Sequence, residues 1–186
     1  MSTNLSDDGR SNQILNAALA VFARYGFKRA SMEDIAQQAG MSRPALYLVY
    51  ANKGAIFAAL ARAMAKRACE AATMAWPQGK GFDDGLAAAG IAIHLDGWRL
   101  IKGSPHGREL LDDNSAVVSE IVAAVDTHMK ALIATRLHEA GQDGSISSVL
   151  VAGLHGIKDK AQSEDELTYG MTVFANLIAR GFVAGD

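Results

Sequence analysis

An all-α fold is predicted by three observations on the 186-residue sequence. Only three prolines interrupt an alanine-rich text, which suits helices and not a many-turned β architecture. Apolar residues recur at steps of three and four, in runs bounded by capping residues and glycines. No alternating run of β period appears, and no repeat of 20–50 residues. The length is ample for a core that needs neither disulfides nor metals. The single cysteine, Cys69, excludes an internal disulfide framework and four-thiolate zinc sites, and it fits a reducing, cytoplasmic setting. No apolar stretch approaches the ~20 residues of a membrane span. The opening MSTNLSDDGR lacks the apolar core of a signal peptide and reads as a short disordered lead-in.

The elements follow in order. A first helix opens near Ser11, carries Ile14, Ala18, Val21, Phe22 and Tyr25, and stops at Gly26. Ser31 and Asp34 form a capping box for a second helix of about two turns, closed by Gly40. Ser42 caps a third, with Pro44 in its first turn, where a missing N–H costs nothing. Asn52 caps a long fourth helix through Ile56, Phe57, Leu60 and Met64 to about Ala75. After Pro77-Gln78-Gly79 a fifth spans about 83–102, apolar round most of its circumference as a buried bundle helix is. Helices at about 115–140, 146–161 and 164–183 complete the chain.

Charge is distributed unevenly. Residues 24–67 hold eight basic side chains (Arg24, Lys28, Arg29, Arg43, Lys53, Arg62, Lys66, Arg67) against Glu33 and Asp34, a net +6. Residues 68–186 are net −7. A basic head on an acidic body suits a polyanion partner for the head, or simply a solvated charged face. Within the head, Ala36, Gly40, Leu46 and Val49 have the spacing of a helix-turn-helix. Alanine permits a close crossing, glycine the turn, and Ile35, Leu46 and Val49 seal the pair. A plain αα-hairpin has similar spacings; the surrounding positive charge favours a nucleic-acid reader, because phosphate contacts supply most of such a module's affinity.

The run from Ser31 to Lys53, preceded by Ala-Leu-Ala-Val-Phe-Ala-Arg-Tyr-Gly-Phe at 18–27, resembles the TetR family of transcription regulators over residues 11 to about 60. The resemblance implies a homodimer of all-α subunits. Residues 1–10 would be the disordered lead-in, 11–53 a three-helix helix-turn-helix DNA-binding domain, 54–76 a connecting helix, and 77–186 a helical-bundle ligand-binding and dimerisation domain. It further implies that Ser31, Tyr47 and Lys53 contact phosphates, and that Ser42, Arg43, Pro44 and Ala45 begin the helix that enters the major groove of a palindromic operator. Arg43 can clasp guanine O6 and N7 in two-pronged fashion or anchor a phosphate; Tyr47 can also pack. Val49 stands where many members have histidine, and Gly54 where glutamate is usual.

In the C-terminal half, His94, Trp98 and His128 are candidate contacts for a small, largely apolar inducer, or hydrogen-bonded core residues. Leu150, Gly153, Leu154, Ile157, Gly170, Met171, Phe174 and Ile178 are candidates for a dimer seam, or for the core of one subunit. No cofactor or metal is implied. A di-metal carboxylate bundle wants a Glu-x-x-His step on each of two helices, and none occurs; nor does a phosphate-binding glycine loop or a Gly-x-Ser-x-Gly elbow. The expectation is therefore not an enzyme. The expected function is a dimeric repressor released by its ligand, the alternative a ligand-independent DNA-binding adaptor that recruits a protein partner.

Overall fold

Caps and glycine stops place the helix ends where the sequence puts them, with one exception. The computed structural model describes residues 4–108 and 115–183. Its elements are α1 (Asn4–Tyr25), α2 (Met32–Gln38), α3 (Arg43–Tyr47), α4 (Lys53–Ala75), α5 (Phe82–Gly103), α6 (Ser115–Glu139), a 3₁₀ turn (Gly144–Ile146), α7 (Ser147–Lys160) and α8 (Glu164–Val183). The fold is all-α. The exception is α1, which begins at Asn4, so most of the expected disordered lead-in is helix; residues 1–3 lie outside the described residues. No proline stands between residues 4 and 25, and Gly9 inside a helix costs only about 1 kcal/mol, too little to end one already held by its later turns.

The chain divides into two compact units. One comprises Met1–Met64 with Leu100–Ile121, the other Ala65–Arg99 with Val122–Asp186. The continuous helices α4, α5 and α6 each begin in one unit and end in the other.

In the first unit Ile14, Phe22, Ile35, Leu46 and Ile56 are wholly buried. Phe22, Phe27 and Phe57 form a ring of tilted and edge-on contacts with centroids 5.4–6.3 Å apart. Each such side chain contributes about 1.5–3 kcal/mol on burial. In the second unit Trp76, Leu86, Ile133, Leu137, Leu150, Leu154 and Leu167 are the wholly buried core.

Part of the expected dimer seam lies in this core. Leu150, Leu154 and Met171 are 2%, 1% and 0% exposed within a single chain. A Cβ on Gly153 would lie 2.4 Å from Phe174 Cζ, and one on Gly170 2.7 Å from Ile157 Cγ2. These glycines therefore let α7 and α8 of one subunit approach each other.

Candidate nucleic-acid interface

Each end of α2 and α3 is held by local chemistry that the sequence specifies. The Ser31 hydroxyl accepts from the Asp34 N–H at 3.1 Å and donates to Asp34 Oδ2 at 2.6 Å, while the Ser31 N–H reaches the same oxygen at 2.9 Å. The hydroxyl, and then the N–H, hold the Asp34 carboxyl below its ordinary range. Helix α2 ends with the Gly40 N–H on Gln37 O at 3.1 Å and the Met41 N–H on Ala36 O at 3.0 Å, the paired bonds of a Schellman turn. That turn needs positive φ, and Gly40 stands at +65°. Ser42 then caps α3 by accepting from the Ala45 N–H at 3.3 Å. Ala36 and Leu46 are sealed in the core as expected.

This leaves a defined outer face. Leu46 points inward, whereas Ser42, Arg43, Pro44 and Tyr47 are exposed and Ala45 is half-buried. Arg43 and Tyr47, one turn apart, meet: the guanidinium carbon is 5.6 Å from the ring centre. Such stacking pre-orders the arginine. Leu48, which sequence reasoning passed over, is 84% exposed beside Tyr47.

Two expected phosphate contacts are otherwise occupied. Lys53 Nζ donates to the carbonyls of Phe27 at 2.7 Å, Lys28 at 2.9 Å and Ala30 at 2.9 Å, and lies 4.9 Å from the centre of the Phe27 ring. An ammonium has three N–H donors, and these carbonyls engage all three. Lys53 instead ties the α1–α2 loop to the start of α4. Its position before the fourth helix gave no hint of this, because the partners are backbone atoms some 25 residues upstream. Likewise the Ser31 hydroxyl proton is committed to Asp34. Ser42, by contrast, uses its oxygen as an acceptor and keeps its proton to donate.

The candidate ligand residues do not form one group. His94 on α5 faces His155 on α7 at 5.1 Å between rings, and His155 Nε2 is 2.6 Å from Asp126 Oδ1 on α6. Burial, and then the charges of His155 and Lys158, push His94 down to about 3. Trp98 keeps a buried Nε1 without an acceptor. His128 turns elsewhere, its Nε2 sharing a 3.0 Å hydrogen bond with the Thr73 hydroxyl. A cavity of about 280 Å³ lies instead where Trp76, Lys80, Phe82, Arg136 and Glu139 meet, and none of the three candidates lines it.

With that geometry in place the comparisons can be read. The family described as bacterial regulatory proteins, tetR family, matches residues 14–60, the segment that contains α2, the turn and α3. Over that segment the chain is similar to the TetR family. Over 53 residues it is 43% identical to an HTH-type transcriptional repressor of Mycobacterium tuberculosis, a match covering 28% of each chain, so the chain spans about a quarter of the length of that relative. Across nearly its whole length its fold resembles that of a TetR-family regulator from Mesorhizobium loti (TM-score 0.70, 20% identity, 96% of each chain covered). It also resembles FadR from Bacillus subtilis in complex with stearoyl-CoA (TM-score 0.63, 19% identity, 94% and 98% covered). No helix among the described residues is long and apolar enough to cross a membrane.

Proposed function

We propose that the protein is a DNA-binding transcriptional repressor that acts in the cytoplasm as a homodimer on a palindromic operator and is released by a small, largely apolar molecule. The observation that carries the reading is the outer face of α3: Ser42, Arg43, Pro44 and Tyr47 open to solvent on a helix whose Leu46 is wholly buried, in a segment of net +6. A short helix pinned from behind and cationic in front is what the major groove accepts. Arg43 reads a base, and Ser42 and Tyr47 hold phosphates through their hydroxyls. The ligand half of the reading draws on His94 and Trp98, whose neutral imidazole and unpartnered indole N–H suit a polar group on an otherwise apolar molecule.

The test is to recover the duplexes that the purified protein retains from fragmented genomic DNA, then screen compounds for release. Arg43→Ala should lose about 1–3 kcal/mol at one base pair and relax choice there. An equal loss on every sequence would make Arg43 a phosphate anchor, and no preferred duplex at all would sink the reading.

The dimer surface we propose is the face that α7 and α8 leave outward. Val149, Tyr169 and Leu177 are large apolar side chains open to solvent there, with Ala152 and Gly156 exposed between them. Val149→Glu with Leu177→Glu should turn a dimer into a monomer by light scattering without lowering helix content. A dimer that survives both changes places the contact elsewhere.

A further inference from the structure

The early start of α1 brings a cation to the DNA-reading face from outside the residues that match the family. Three positions in its first half reach across to the helix-turn-helix. Arg10 Nη2 donates to Ala45 O, in the middle of α3, at 3.4 Å. Ser11 Oγ and Tyr50 OH share a 2.8 Å hydrogen bond, and Gln13 Nε2 donates to Ala39 O at 2.7 Å. The helix is thereby pinned to the end of α2, the middle of α3 and Tyr50 just beyond it. Arg10 itself is exposed. A guanidinium has five N–H donors in a rigid fork, and the bond to Ala45 uses one.

We propose that Arg10 is a DNA-backbone contact: it braces the recognition helix through the Ala45 carbonyl and places its remaining donors on a phosphate at the edge of the groove that α3 enters. The proposal rests on the DNA-binding reading above. Its physical basis is reach and charge together. Arg43 and Arg10 lie on one short helix and against it, so a groove that admits the first brings its bordering phosphates toward the second. The guanidinium fork matches phosphate oxygens two at a time. The sequence pattern hid this, because Arg10 falls in a polar stretch with no apolar period and precedes residue 14, where the family match begins.

A neutralised phosphate is read by salt. Each one steepens the fall of log K with log salt by about 0.9, equivalent to about eightfold in affinity at 0.1 M relative to 1 M. The experiment titrates wild type, Arg10→Ala and Arg10→Lys against two probes, the best duplex retained by wild type and a random-sequence duplex of equal length. Anisotropy is followed across a series of KCl concentrations, with thermal melts of each protein alongside. Arg10→Ala should bind both probes about five- to tenfold more weakly per bound chain at 0.1 M KCl, with a slope shallower by about 0.9 per bound chain, while Arg10→Lys keeps the slope. Three outcomes overturn the proposal. Unchanged affinity and slope would show that Arg10 does not meet DNA. A uniform loss with an unchanged slope would make it a brace for α3 alone. A loss on the preferred duplex only would make it a base reader. Failure of the wild type to bind either probe would instead overturn the DNA-binding reading beneath it.

Discussion

Lys53→Met should lower the thermal midpoint by roughly 5–10 °C and leave the salt dependence of DNA binding in the folded fraction nearly unchanged. The cause is the set of three bonds from Nζ to the carbonyls of Phe27, Lys28 and Ala30, together with the Phe27 ring beneath the ammonium. Hydrogen bonds from a charged donor contribute more than neutral ones, and methionine retains the stem but offers no donor. The net loss is about 2–3 kcal/mol once the carbonyls regain some water. The Phe27 ring is part of the aromatic contact with Phe22 and Phe57, so loosening this loop also loosens the packing that supports α2. Calorimetry and salt titration on the same variant separate the two roles. A salt slope smaller by about one with an unchanged midpoint would return Lys53 to the phosphates.

Acid should weaken the second unit well before its carboxylates titrate. His94 has its ordinary value of 6.5 in the unfolded chain and about 3 in the folded one, chiefly through burial on α5 and secondarily through the charges of His155 and Lys158. Asp126 and Asp159 pull the other way without prevailing. Between those two values the unfolded chain binds a proton that the folded chain refuses. Stability from this residue is therefore fully present above pH 6.5 and falls as pH drops toward 3. Each pH unit costs about 1.4 kcal/mol, so about 2–3 kcal/mol is lost between pH 6.5 and 4.5 and on the order of 4 kcal/mol by pH 3. Asp34, Asp143, Asp159 and Glu164, all held below their ordinary values, add their own losses only at the acid end of that range. Urea melts at pH 6.5 and 4.5 should show the drop in wild type and a much smaller one in His94→Asn. An equal drop in both would assign the effect to another group.

The helix-turn-helix was legible because its geometry is enforced by neighbours in sequence. Ser31 with Asp34, Gly40 with its turn, and Ser42 with Ala45 each complete a motif within four residues. Whatever depended on distant partners was not legible. The family pattern marks Lys53 without saying where its ammonium goes, and carbonyls upstream had already claimed it. Gly153 and Gly170 announced a close approach but not to which helix, since one's own neighbour and a second subunit demand the same small residue. Arg10 was overlooked for the opposite reason: nothing apolar near it betrayed a helix, and its Ala45 partner lies 35 residues away.

One arrangement in the fold has a bearing on how the gene can be edited. The unit that carries Arg43 is not a continuous stretch of chain; the backbone leaves it at Met64 and returns at Leu100 for a second passage to Ile121. Recombination that exchanges readers between regulators by a single crossover would separate the first passage from the second, and leave Arg62 facing whatever the new parent supplies in place of Glu120, 3.1 Å away. Transplantable specificity in this protein is thus carried by a graft with two inserts. Its natural joints fall inside α4, α5 and α6, where reading frame and helical phase must both be kept.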